Sequence, residues 1–129
     1  MSNRSRDKGT HGETEVVDWY HRKGLHHVER HALHGANDIG DITGIPGLVQ
    51  SIKWVGRGQP LQLSEWLNDL DDMVNNAQTR SRRYGLGHAD DPAPAGLLIV
   101  RRNGYPSPGN WYAVQTLDAW WSLYGELFT

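Results

Sequence analysis

The sequence predicts a single α/β domain, a mixed central sheet flanked by helices. Three observations predict it. Residues 38–54 read as two short strands around the tight turn Ile45-Pro46-Gly47, where proline presets φ and glycine tolerates φ > 0. Between 63 and 78, Trp66, Leu67, Leu70, Met73, Val74 and Ala77 recur at helical spacing, as on a helix lying against a sheet. The run Gly96-Leu97-Leu98-Ile99-Val100-Arg101 is apolar without alternation, as in a strand buried on both faces.

In chain order, residues 1–10 read as a flexible basic arm, with Arg4, Arg6 and Lys8 against the one acid Asp7, and residues 11–129 as the domain. A helix is expected over 11–23. Thr10 and Glu13 make a capping-box pattern, Val16, Val17 and Tyr20 form an apolar stripe with Trp19 beside it, and Gly24 closes the helix. Residues 25–34 read as a strand, with Val28, Arg30 and Ala32 on one face and His27, Glu29 and His31 on the other. On a helix, His27, His31 and His34 would be spaced for zinc; exposed strand histidines are the commoner case.

The central hairpin follows, then a loop over 56–60 and the helix over 63–78 with Ser64 as N-cap. A long loop over 79–94 carries Arg80, Arg82 and Arg83. After the strand at 96–101, residues 111–115 form another. A last helix over 116–127 is capped by Thr116 and turns Leu117, Trp120, Trp121, Tyr124 and Leu127 inward. The order α-β-β-β-α-β-β-α packs most simply as a sheet with helices on its faces.

Composition narrows the function classes. A chain of 129 residues suits one domain with a modest core, and 37% hydrophobic residues with six Trp and five Tyr exceed what a disordered chain carries. The absence of cysteine excludes disulfides and thiolate metal sites and fits a cytoplasmic location. No apolar run nears the roughly 18 residues of a membrane span, and the polar, basic start predicts a chain without a secretory leader. With a net charge of −2, any nucleic-acid face must be a local gathering of basic groups.

The hairpin carries the candidate chemistry. Alternation puts Ser51 and Lys53 on one face of the second strand and Gln50, Ile52 and Trp54 on the other, and the hairpin brings Asp41 beside Ser51 and Lys53. With Glu13 on the first helix, this makes two carboxylates and a lysine. Carboxylates hold hard cations such as Mg²⁺, the ion activates water and neutralises phosphate charge, and a lysine stabilises the developing anion. The set suits metal-assisted phosphodiester hydrolysis. Glu13 has an alternative role as a helix cap.

The αβββαβ order with a helix Glu13, then Gly40-Asp41-Ile42, then Lys53 resembles the PD-(D/E)XK nuclease superfamily. The opening Lys8-Gly9-Thr10-His11-Gly12-Glu13 is similar to that of archaeal-type and phage Holliday junction resolvases, and Arg30 and Val100-Arg101-Arg102-Asn103-Gly104 fall where such relatives place theirs. The resemblance implies an αβββαβ nuclease core with Asp41 as central metal ligand, Glu13 as helix carboxylate, the Ile52 main-chain carbonyl as a further ligand and Lys53 as catalytic lysine. It implies a homodimeric, Mg²⁺- or Mn²⁺-dependent endonuclease that cuts branched DNA in recombination. The DNA-binding residues would be Arg4, Arg6, Lys8, Arg30, Arg82 and Arg83, with Arg57, Arg80, Arg101 and Arg102 completing the basic face.

One position departs from that pattern. Ser51 stands where the superfamily places Asp or Glu. Another acid, Asp38 or Glu65, could take its place; metal binding could be weak; or the fold could bind DNA without cutting it. A flap or RecB-like nuclease would share the same core.

Overall fold

The computed structural model describes residues 3–31, 38–84 and 94–129, with side chains described over 10–31, 38–79 and 94–129. Helix α1 (Asn3–Arg22) leads into three short strands, β1 (Glu29–Arg30), β2 (Ile42–Thr43) and β3 (Leu48–Lys53). Helix α2 (Leu63–Tyr84) crosses to β4 (Ala95–Val100), followed by β5 (Tyr112–Val114) and α3 (Leu117–Tyr124). Two 3-10 turns complete the chain, at Pro108–Asn110 and Gly125–Phe128. The five strands form one mixed sheet in the order β1-β2-β3-β4-β5. Only β3 and β4 run parallel, from Leu48↔Ala95 to Lys53↔Val100, and α2 is the crossover that a parallel pair requires. The predicted fold class and element order are those of the structure.

The core has a layer on each side of the sheet. Towards α1 lie Val16, Val17, Tyr20, Val28, Ile42, Ile52, Ile99 and Trp111. Towards α2 lie Val49, Val55, Leu70, Leu98 and Val100, with Trp66, Leu67, Met73, Val74 and Ala77 of the helical stripe packed on them. Each fully buried aliphatic side chain contributes about 1.5–3 kcal/mol. Strand β3 therefore sends Gln50 and Ile52 towards α1 and Val49 towards α2, as alternation requires.

Several boundaries differ from expectation. The helix expected over 11–23 starts at Asn3, so from that residue the expected flexible arm is the first turns of α1. Thr10 is not its cap: the Thr14 hydroxyl donates to the Thr10 carbonyl at 2.9 Å, an i to i−4 bond inside a helix. Gly9 and Gly12, which read as breakers, are tolerated within it. At Gly12 the reason is contact, because a Cβ there would stand 3.3 Å from the Trp54 ring and 3.4 Å from Ile52 Cγ2. The C-terminus ends as predicted. Gly24 N–H donates to His21 and Leu25 N–H to Tyr20, each at 3.0 Å, the paired bonds of a Schellman turn.

The strand expected over 25–34 shrinks to Glu29–Arg30, and residues 32–37 lie outside the described residues. Helix α2 begins one residue before Ser64, with Trp66 N–H donating to the Gln62 carbonyl, so Ser64 lies inside it. It also runs on to Tyr84, so residues 79–84 are helical rather than loop.

The largest difference is at the C-terminus. Thr116 caps α3 as predicted, accepting from Ala119 N–H at 3.2 Å. The aromatic stripe, however, is not buried: Leu117 is 81% exposed, Trp121 51% and Leu127 77%, and Trp120 and Tyr124 are exposed as well. Helix α3 follows the edge strand and, among the described residues, packs chiefly against β4 and the 3-10 turn after it. Its rings instead contact one another, with Trp120 stacked on Phe128 at 5.8 Å. A stripe read from spacing says nothing about whether a partner element covers it.

Candidate metal and nucleic-acid site

Sheet register places the predicted site residues. Strand β2 meets β3 antiparallel through Ile42↔Gln50, and Asp41 N–H also donates to the Gln50 carbonyl at 2.7 Å. Two residues of one strand thus oppose one residue of the other, which is a β-bulge. The bulge interrupts alternation at Asp41. Immediately before it the chain passes so close to β3 that a Cβ on Gly40 would lie 2.9 Å from the Gln50 carbonyl oxygen, and its φ of +113° also calls for glycine.

Beyond the bulge β2 and β3 part. Ser51, Ile52 and Lys53 continue along β4 but have no pairing with β2. The Ile52 N–H, which faces the gap, is taken by the Asp41 carboxylate, Oδ2 to N at 2.8 Å. In a regular strand the N–H and C=O of one residue point to the same edge, so the Ile52 carbonyl faces that gap too. The Lys53 carbonyl faces the other way and accepts from Arg101 N–H at 2.9 Å.

Glu13 on α1 is tied to the sheet beside the bulge. Its neighbour Gly12 packs on Ile52 and Trp54, and its own Oε2 accepts from Arg30 Nε at 3.0 Å. Arg30 is the register partner of Ile42, so it bridges from the sheet to the helix directly beside the bulge. Glu13 and Asp41 are each 7% exposed. Two carboxylates buried in so small a domain are unusual, since each must be compensated by hydrogen bonds, opposite charge or a cation. The sheet thus brings Asp41 to Ile52, with Arg30 tying Glu13 of α1 beside the bulge and Lys53 next along the strand. Alternation starts the Lys53 side chain on the face opposite Ile52, so Lys53 and Glu13 approach the gap from opposite sides of the sheet.

Among the described residues, no three His, Cys, Asp or Glu side chains gather as metal ligands. A divalent ion here would rest on two carboxylates, a main-chain carbonyl and water. That donor set fits Mg²⁺, which commonly takes one or two carboxylates and keeps several waters. Ser51 is 1% exposed. Of the alternative acids, Asp38 Oδ1 accepts its own loop's Gly40 N–H at 2.8 Å, and Glu65 is exposed in the first turn of α2.

Of the expected DNA contacts, Arg30 donates to the Glu13 carboxylate. The side chains of Arg4, Arg6, Lys8, Arg80, Arg82 and Arg83 lie outside the described residues. The zinc spacing of His27, His31 and His34 has no helix to carry it, since β1 occupies Glu29–Arg30.

Sequence reasoning did not foresee two further features. Behind the gap, the Tyr20 hydroxyl donates to Gln50 Oε1 at 2.6 Å, both groups buried. Burial pushes the Tyr20 hydroxyl above its ordinary pKa; the Gln50 bond opposes this and nearby Tyr124 adds to it. At the end of β4, the Arg101 guanidinium lies 3.7 Å from the centre of the Trp54 ring, on which His11 also rests at 5.6 Å. Arg102 lies 3.8 Å from the ring centre of Tyr105 and 5.4 Å from that of Tyr112. Tyr105 lies close to Arg102 in the sequence, which hinted at that stack, but Trp54 is far from Arg101 and its pairing was not legible.

No protein-family model, curated protein or solved structure matches this chain. Among the described residues, no helix is long and apolar enough to cross a membrane.

Proposed function

We propose that this chain is a metal-dependent DNA endonuclease of the PD-(D/E)XK type that hydrolyses phosphodiester bonds in branched DNA, as a Holliday junction resolvase does. One observation carries the reading. Where β2 and β3 part, a buried aspartate bonds the open Ile52 N–H, and beside it a buried glutamate from α1 is held by Arg30, the register partner of Ile42. Glu13, Asp41 and the Ile52 carbonyl would hold Mg²⁺ or Mn²⁺. A bound ion of this kind lowers the pKa of its water and neutralises phosphate charge. Arg30 holds the Glu13 carboxylate in place, and the Lys53 ammonium stabilises negative charge on the attacked phosphate. Arg4, Arg6, Lys8, Arg82 and Arg83 would grip the DNA backbone.

The exposed apolar side of α3 supports a homodimer, and the reading places the protein in the cytoplasm. A flap or RecB-like nuclease shares the same catalytic core. The buried Ser51 favours one second reading, a DNA-binding protein that has lost cleavage, because a hydroxyl is a weaker Mg²⁺ ligand than a carboxylate.

Labelled four-way junction, flap, duplex and single-stranded DNA, each with Mg²⁺, Mn²⁺ or EDTA, test these readings. The nuclease reading expects metal-dependent cutting of branched DNA, lost in Asp41→Ala and Lys53→Ala. If both variants cut as well as the parent, the site is wrongly assigned. Junction binding without cutting under any metal selects the second reading.

A further inference from the structure

We propose that the end of the β4–β5 edge is a subsite for an unpaired DNA base and the phosphate beside it. Arg102 lies over Tyr105 with Tyr112 close by, and the two tyrosines are 40% and 46% exposed. Beside Tyr112 opens a cleft of about 220 Å³ between the start of α2 and the edge strand. Leu61, Leu63, Val100, Tyr112, Ala113 and Val114 line it. An apolar cleft lined by an aromatic ring with a cation beside that ring suits a nucleobase, which is flat, uncharged and tethered to an anion.

Charge argues for the same occupant. Among the described residues neither Arg101 nor Arg102 is paired with a carboxylate, in a chain of net charge −2. Arg101 Nη1 donates to Asn103 at 3.2 Å, while its buried Nε has no hydrogen-bond partner. The Arg102 guanidinium is positioned by ring faces, which leaves its N–H donors available for phosphate.

The location connects the cleft to the candidate chemistry. Arg101 N–H is bonded to the Lys53 carbonyl, so Arg102 begins one residue beyond that link. Base pairs in a continuous duplex hide both faces of each base, whereas a branch point or flap exposes them. The subsite therefore selects DNA with an unpaired nucleotide next to the cut. It rests on the nuclease reading for its substrate, but its binding needs no metal ion.

The test is a flap DNA with 2-aminopurine at the first unpaired position, titrated with full-length protein in EDTA. Stacking on tyrosine quenches the probe. Tyr112→Ala should weaken binding about ten-fold, as loss of one stacked base does, while Tyr112→Phe keeps parental affinity. Tyr105→Ala, in an exposed loop, should weaken it as well. Arg102→Gln should reduce the slope of log affinity against log salt by about 0.7. Parental affinity, quenching and salt slope in Tyr112→Ala, Tyr105→Ala and Arg102→Gln would overturn the subsite. Quenching that depends on Tyr112 in a parent that cuts no DNA keeps the subsite and removes the nuclease reading. Metal-dependent cutting with binding indifferent to all three variants does the reverse.

Discussion

The carboxylate of Asp41 accepts the main-chain N–H of Ile52 at 2.8 Å, a bond that an adjacent strand would otherwise supply. A charged side chain thus does the work of a backbone carbonyl at the point where β2 and β3 separate. Asn can make the same bond without the charge, so Asp41→Asn should melt close to the parent while metal-dependent cleavage falls about 100-fold. Asp41→Ala should lose cleavage and, by leaving the buried N–H without its acceptor, about 1–3 kcal/mol of stability. Thermal denaturation alongside a junction-cleavage assay checks both.

Arg30 and Glu13 join the sheet to α1 at 3.0 Å, with the Glu13 side chain 10% exposed and the Arg30 side chain 36%. Arg30→Ala should destabilise the domain by about 1–2 kcal/mol, because a nearly buried carboxylate loses a charged donor. Glu13→Gln added to it should restore part of that loss. Urea unfolding of the single and double variants forms a double-mutant cycle, and additive effects would show that the pair is not coupled.

Ser51 is 1% exposed, so a carboxylate placed there must find a cation or be desolvated alone. Ser51→Glu should lower the melting temperature in EDTA. Mg²⁺ should restore it, since a ligand at a hundredfold excess over its Kd contributes about 2.7 kcal/mol, and cleavage should rise. A melting temperature indifferent to Mg²⁺ would place residue 51 away from the metal.

Tyr20 titrates above its ordinary value in the folded protein, chiefly through burial. The unfolded chain therefore releases this proton first. The stability involved is fully present below the ordinary tyrosine pKa of about 10 and is lost as pH rises through the folded value. Tyr20→Phe should cost about 1–3 kcal/mol at neutral pH by leaving Gln50 Oε1 without its donor. It should also flatten the alkaline fall in stability relative to the parent, as urea titrations between pH 8 and about 11 would show.

Leu117 of α3 and Leu127 of the 3-10 turn after it are 81% and 77% exposed, in the apolar region proposed to face a second copy. Leu117→Glu with Leu127→Glu should leave the fold intact and give a monomer by sedimentation equilibrium. The parent should show a mass that rises towards a dimer with concentration. A parent that stays monomeric would remove the dimer.

What could be read in advance was whatever period and punctuation control. The stripe from Trp66 to Ala77, the Gly24 stop and the split of β3 into a Gln50–Ile52 side and a Val49 side all follow from 3.6- and 2-residue periods. The start of α1 did not, because Gly9 and Thr10 look like a boundary and the packing of Gly12 on Ile52 is a tertiary fact. Glu13 and Asp41 were proposed from residue type and order. The Arg30 tie was not, because it spans 17 residues and depends on the Arg30↔Ile42 register. The direction of α3's aromatic stripe was misread because spacing marks an apolar side without naming what covers it.

The sheet pairing also sets when the proposed site can first form. Glu13, Asp41 and Lys53 all belong to the first 53 residues, yet β3 is held by β4 along its whole length, from Leu48↔Ala95 to Lys53↔Val100. A growing polypeptide must therefore release β4 from the ribosome before its acidic groups and lysine are held in their final places, and a chain cut short before Ala95 carries every one of those residues without a working arrangement of them.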